Sequence, residues 1–166
     1  MDNVGVPGEA YNYLADNEVY VMLAPEGNKR AAARPAITGD AGLEVVIVQC
    51  QPGHGPALHA HTRTNEIFVC MSGRYELMWG DKGENSVFLE PFDMFAVPKG
   101  VFRRFRNASE DPSARMMVMV QGGVEDAFND VYFDSSVGEA IEAKWGKVVH
   151  GNFKNIGITF EGADPR

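Results

Sequence analysis

From residue 43 onwards the apolar positions come in short runs, and each run stops at residues that favour turns. Leu43 to Cys50, Glu66 to Met71, Tyr75 to Trp79, Ser86 to Leu89, Met94 to Val97, Phe102 to Phe105 and Met116 to Val120 are rich in β-branched, aromatic and methionine side chains. Such runs predict strands. Between them stand Gln51-Pro52-Gly53, Ser72-Gly73, Gly80-Asp81-Lys82-Gly83, Pro91-Phe92-Asp93, Pro98-Lys99-Gly100 and Asn107 to Pro112, all of which carry turn chemistry. Short strands at this spacing predict an all-β antiparallel sandwich or barrel. Leu43 to Cys50 is apolar on both faces, as a central strand would be.

The two ends read differently. Residues 1–16 show no sustained periodicity, and Tyr11 and Tyr13 give them the character of an arm that packs on something. Val19 to Leu23 predicts a further strand, and Ala24 to Asp40 is mixed, with a basic cluster at Lys29, Arg30 and Arg34. Beyond the strand series, Val124 to Asn129 and Ser135 to Val149 read as helical, the second capped by Ser135 or Ser136 with Glu139 closing a capping box. Val137, Ile141, Trp145, Val148 and Val149 fall near helical spacing and predict a packed stripe. Ile156 to Phe160 is a candidate last strand.

Composition adds limits. The 166 residues weigh 18.2 kDa and are 45% hydrophobic and 23% charged, the profile of one globular domain. With 15 basic against 23 acidic residues the formal charge is −8, which repels phosphate backbones and anionic membranes, so nucleic acid and membrane partners are not expected. No window approaches the roughly 20 apolar residues of a membrane span, and the acidic first twenty residues do not read as a secretory leader, so a cytoplasmic location is expected. The two cysteines, Cys50 and Cys70, sit in apolar β-type runs and read as reduced, buried hydrophobes.

The candidate chemistry lies in Gly53-His54-Gly55-Pro56-Ala57-Leu58-His59-Ala60-His61-Thr62-Arg63-Thr64-Asn65-Glu66. His59 and His61 are two apart, and in an extended strand that spacing aims both imidazoles at one face. Thr62 to Asn65 reads as a short polar hairpin loop, which would make Glu66 the opening residue of the antiparallel neighbour strand and return a carboxylate beside the imidazoles. Two histidines and a carboxylate with open positions suit a divalent transition metal such as Fe, Mn, Ni or Zn. His54 reads as an exposed loop histidine and His150 as a residue at a helix C-terminus.

Gly53, five residues, His59-x-His61, four residues, Glu66, six residues and Gly73 together resemble the first motif of the cupin superfamily at every spacing. Pro98-x-Gly100 and Asn107, preceded by Glu90-Pro91-Phe92-Asp93, resemble its second motif with two departures. Phe92 stands where that motif has glycine, and it can serve if its φ stays negative. Arg103 stands where that motif has its metal-binding histidine. The resemblance implies a small double-stranded β-helix barrel in a single domain, 1–166, with a conserved-barrel core over about 41–122, an N-terminal arm over 1–40 and a C-terminal helical extension over 123–166. It also implies a homodimer in which the early strand adds to the partner's sheet, and metal ligation by His59, His61 and Glu66.

Arg103, Phe105 and Asn107 share parity, so the guanidinium is expected inside, where a fixed positive charge about 5 to 6 Å from a divalent ion costs on the order of 6 kcal/mol at an effective dielectric near 20. Two arrangements follow. Either Arg103 turns aside and clamps a substrate carboxylate, leaving His59, His61 and Glu66 to the metal, or it pairs with Glu66 and leaves a metal-free ligand site. The first implies a metal-dependent enzyme of oxygenase, isomerase or lyase type acting on a small carboxylated molecule, with Arg103, Phe68 and Phe105 facing the substrate. The second implies a small-ligand-binding or sensory barrel, and a purely structural, oligomer-forming barrel is a third reading.

Overall fold

The computed structural model describes residues 4–26, 35–39, 42–122 and 130–160. The basic cluster Lys29, Arg30 and Arg34 and the helical reading of Val124 to Asn129 lie outside the described residues. The elements follow in the order α1 (Gly8–Leu14), β1 (Glu18–Pro25), β2 (Ile37–Gly39), β3 (Leu43–Gln49), β4 (His59–His61), β5 (Asn65–Cys70), β6 (Tyr75–Trp79), β7 (Asn85–Leu89) and β8 (Met94–Val97). Then come β9 (Arg103–Asn107), β10 (Arg115–Gln121), β11 (Val131–Phe133), α2 (Ser135–Trp145), α3 (Lys147–Asn152), a 3-10 turn over Phe153–Ile156 and β12 (Ile158–Thr159). Five of the six runs from β5 to β10 fall within one residue of where side-chain alternation and turn chemistry put them, and β9 continues two residues past Phe105 to Asn107.

The strands form two six-stranded sheets, ordered β2-β1-β3-β10-β5-β8 and β12-β11-β4-β9-β6-β7. Pairing is antiparallel except at the β1–β2 and β11–β12 edges. Val46, Val48, Phe68, Val97, Met116 and Val118 of the first sheet meet Tyr75, Leu77, Leu89 and Phe105 of the second in one buried cluster. The sheets therefore face each other across a shared core, the double-stranded β-helix arrangement. Gly73 turns the chain from one sheet to the other at φ 74, with Ala114 so close that a Cβ would come within 2.5 Å of that residue's own. Only glycine fits both demands.

A second buried cluster binds the ends of the chain together: Val6, Ala10 and Leu14 pack with Val131, Phe133, Ile141, Phe153, Ile156, Ile158 and Phe160. The N-terminal arm does pack, but as a short helix that its sequence pattern does not reveal, because seven residues make only two turns. β1 adds to β3 of its own chain, from Glu18 opposite Gln49 to Leu23 opposite Val45, which corrects the expectation that it joins a partner's sheet. The C-terminal extension is mixed and not only helical, since β11 and β12 extend the second sheet.

Three further expectations change. The predicted helix Ser135 to Val149 breaks at Gly146, whose φ of 88 lies outside the helical region, and continues as α3. That break leaves Val148 exposed while Ile141 is buried, so the stripe is not continuous. The α2 cap is Asp134, whose carboxylate accepts from the Ser136 N–H and Oγ–H, and neither serine caps. Phe92 does not keep a negative φ: it adopts 76, the left-handed conformation of the glycine it replaces. Its N–H donates to Cys70 O and Asp93 N–H to Glu90 O, and these bonds hold the turn in that shape.

Candidate metal centre

β4 and β5 do not pair. β4 lies between β11 and β9 in the second sheet, and β5 lies between β10 and β8 in the first. Thr62 to Asn65 is therefore a crossing between the sheets and not a hairpin, and Glu66 reaches the histidines from the facing wall. Asp130 holds the crossing: its Oδ2 accepts from the N–H groups of Arg63 at 2.9 Å and Thr64 at 2.8 Å and from the Thr64 hydroxyl at 2.9 Å.

The same carboxylate orients a ligand. His61 Nδ1 lies 3.1 Å from Asp130 Oδ1 and 2.9 Å from Thr64 Oγ1, while His59 Nδ1 lies 2.8 Å from Ala57 O. A carbonyl and a carboxylate only accept, so each Nδ1 carries a proton. Burial lowers His59 to about 4, with Glu66 opposing and His61 and Arg103 adding to the effect, so its ring is neutral at pH 7. For Asp130 burial acts upward, but the hydrogen bond and charge of His61 and the donations from Arg63 and Thr64 outweigh it and hold the carboxyl below the usual range.

His61 Nε2 lies 3.8 Å from Glu66 Oε2, and one donor atom from each of His59, His61 and Glu66 falls within 4.8 Å of the others. All three residues are buried. Arg103, opposite His59 in the β4–β9 pair, is fully buried, and its Nε stands 3.3 Å from Glu66 Oε2. This is an ion pair without hydrogen-bond alignment at Nε. Nη2 donates to Val97 O at 3.4 Å and Pro98 O at 3.2 Å, and Nη1 makes no hydrogen bond among the described residues. Burial lowers the Arg103 pKa, with Glu66 and Asp130 opposing, and the group stays charged at any physiological pH.

Phe68 and Phe105 sit two residues along their strands from Glu66 and Arg103, edge to face at 5.7 Å and buried in the main core. The site thus gathers His59, His61, Glu66 and Arg103, with Phe68 and Phe105 behind them. His54 stands apart, half exposed and paired with Asp16, and His150 stacks on Phe160 at the chain's other core. The sequence reading missed Asp130 and Thr64. Asp130 is 69 residues from the histidine it holds, and no local pattern joins them.

The donor set fits a divalent metal in kind and number. Two imidazoles with Nδ1 committed to a fixed acceptor, plus a carboxylate, are the donors such ions take, and a carboxylate fixing a ligating histidine is the usual support. Arg103 opposes this with its charge, and its ion pair with Glu66 Oε2 competes with an ion for that carboxylate oxygen.

A barrel of two facing sheets carrying a His-x-His and glutamate cluster on its inner walls defines the class. A cupin-domain family model matches residues 46–120, which supports membership of the cupin superfamily. Among solved structures it is similar to KdgF from Halomonas sp., at 15% identity over 67% of this chain and 83% of that one, with a TM-score of 0.48. BH2720 from Bacillus halodurans is similar at 19% identity over 52% of this chain and 67% of that one, with a TM-score of 0.48. The DMSP lyases RdDddP and RnDddQII are similar at 18% identity over 66% of this chain and 49% of that one, with a TM-score of 0.50. At 18% identity the likeness to the lyase structures shows the fold alone. No curated protein sequence matches the chain. Among the described residues no helix is long and apolar enough to cross a membrane.

Proposed function

We propose that this protein is a metal-dependent cupin enzyme in which His59, His61 and Glu66 hold one divalent transition ion, Fe, Mn, Ni or Zn, and Arg103 holds the carboxylate of a small substrate. The observation that carries the reading is the pair of imidazoles, each anchored at Nδ1, beside Glu66. Three protein donors leave positions for water and substrate, and the ion would supply Lewis acidity or an activated oxygen ligand. Arg103 is suited to an anion because Nη1 is a buried donor with no hydrogen bond among the described residues, and a carboxylate matches the guanidinium fork. Phe68 and Phe105 form an apolar floor. Oxygenation, isomerisation and lyase chemistry are all open to such a site, because fold does not fix reaction. Cys50 and Cys70, unbonded to each other and buried, suit a reducing cytoplasm.

One observation favours a second reading. The 3.3 Å contact between Arg103 and Glu66 partly occupies the carboxylate, which suits a metal-free barrel binding small acids. Metal analysis after purification without chelator separates the two. The enzyme reading expects near-stoichiometric metal in wild type under metal-replete conditions and loss in His59→Ala with His61→Ala. Substoichiometric wild type beside a filled Arg103→His variant would reject it, and chelator-insensitive thermal stabilisation by small carboxylic acids would establish the alternative.

A further inference from the structure

One buried carboxylate of the barrel stands outside the metal centre. Glu44 lies on β3, only 3% exposed, with the strand parity of Val46 and Val48, which fill the core. The inward row of the first sheet that passes through it runs Glu44, Val120, Glu66, Val97, so it shares a wall and a level with the carboxylate of the candidate centre. The facing row of the second sheet runs Phe133, His59, Arg103, Trp79. The two rows lie at one level of the barrel, because Glu66 Oε2 is 3.3 Å from Arg103 Nε.

One level deeper the inward row of the first sheet is Val46, Val118, Phe68, Phe95, and every member is apolar. Glu44 therefore stands where the packed core gives way to the polar site. The wall itself calls for an apolar side chain there, as at Val46 and Val120, since a buried carboxylate carries a desolvation cost that valine does not. Glu44 is not a metal ligand either: among the described residues the donors that meet within 4.8 Å of one another come from His59, His61 and Glu66. Two strand spacings set the backbones of Glu44 and Glu66 about 10 Å apart, and both side chains reach into the space between the sheets.

We propose that Glu44 is a specificity-determining residue of the site, accepting a hydrogen bond from a hydroxyl or ammonium group at the end of the substrate remote from its carboxylate. The inference rests on the reading of Arg103 as the carboxylate anchor. The ligand it selects is a short carboxylic acid with a terminal hydroxyl or amine, whose hydrocarbon middle passes over Val120. A plain acid of the same length would set hydrocarbon against Glu44, and a dicarboxylic acid would set a second carboxylate there, so both are discriminated against.

The test is isothermal titration calorimetry of the full chain, purified without chelator and with its metal content measured. The probes are matched series of n-carboxylic, ω-hydroxy, ω-amino and dicarboxylic acids of about three to six carbons, lengths that such a span accommodates. In wild type one length of the hydroxy or amino series is expected to bind about 10- to 100-fold more tightly than the n-acid of that length, the worth of a hydrogen bond to a charged group, and the better of the two series identifies the donor. Glu44→Leu is expected to remove that advantage. Glu44→Asp, one methylene shorter, is expected to move the optimum to a chain one carbon longer, a change that a purely structural carboxylate would not produce. Circular dichroism and urea midpoints report whether each variant folds, and Glu44→Asp decides the matter should Glu44→Leu fail to fold. Equal affinity of wild type for donor-bearing and plain acids, an advantage that survives Glu44→Leu, an optimum length unmoved in Glu44→Asp, or no binding of any acid would each overturn the proposal. Metal-free wild type with a donor preference that Glu44→Leu abolishes would reject the metal-dependent reading and uphold this one, and metal-filled wild type with no preference would do the reverse.

Discussion

At Phe92 a side chain and its backbone pull in opposite directions. The turn before β8 needs φ 76, and the phenyl ring gains almost nothing from its own chain in return. A non-glycine residue in this region costs about 1 to 2 kcal/mol, against which glycine loses more chain entropy on folding. Phe92→Gly is therefore expected to stabilise the fold by about 0.5 to 1 kcal/mol, read from urea unfolding. Asp130 is the opposite case, a residue whose side chain does several things at once. It receives three bonds from Arg63 and Thr64 and fixes the His61 tautomer. Asp130→Asn keeps the shape but can present an N–H to Nδ1 and reverse that tautomer, so metal affinity is expected to fall about 10- to 100-fold in a chelator competition titration. An unchanged affinity would mean that His61 needs no orienting partner. The ligands themselves were legible because their spacing is local; Asp130 was not, because only tertiary folding brings it to His61.

At the scale of elements, the strands β5 to β10 could be read from the chain because alternation and turn residues are properties of neighbours. Which sheet a strand joins is not such a property. His59-x-His61 and Glu66 were rightly grouped, yet a short connection that looks like a hairpin instead carries the chain across the core, and nothing in Thr62 to Asn65 distinguishes the two. The helices show a similar limit. Helical periodicity predicts one helix through Val149, but Gly146 at φ 88 divides it, and α3 folds back so that His150 stacks on Phe160. Gly138 sits beneath that contact. A Cβ there would come within 2.6 Å of Phe160 Cβ and 3.0 Å of His150 Nε2. Alanine is normally the better helix former by about 1 kcal/mol, yet overpacking costs about 1 to 3 kcal/mol, and here the nearest atom belongs to a buried ring at its stem and cannot swing away. Gly138→Ala is expected to lower stability by about 1 to 2 kcal/mol in urea melts, with near-ultraviolet dichroism reporting the displaced Phe160. A gain in stability would mean that the C-terminal segment is free to move off α2.

For the molecule as a whole, the main core stores a dependence on alkaline pH. Burial pushes the Cys50 thiol up to about 12 from an ordinary 9.0, with the neighbouring Tyr75 hydroxyl opposing and Asp16 adding to the rise. Burial also raises the Tyr75 hydroxyl above its ordinary 10.0, with Cys50 nearby contributing, and that hydroxyl donates to Ala114 O at 2.9 Å, a bond that ionisation would destroy. Both groups keep their protons in the folded chain after the unfolded chain has given them up. Below pH 9 neither state has ionised and nothing is lost; above it the unfolded state binds fewer protons than the native state, so unfolding becomes easier as pH rises. The expected free energy of unfolding is flat to about pH 9 and then falls by about 1.4 kcal/mol per pH unit, more steeply once Tyr75 joins. Urea midpoints between pH 8 and pH 11 read the slope, and a Cys50→Ala variant should lose its first part. Iodoacetamide gives an independent check, since a thiol held protonated inside the core should resist alkylation at pH 9 in native protein and react at once in urea. Native labelling of Cys50 at the rate of an open thiol would mean that the core between the sheets opens far more easily than its packing implies.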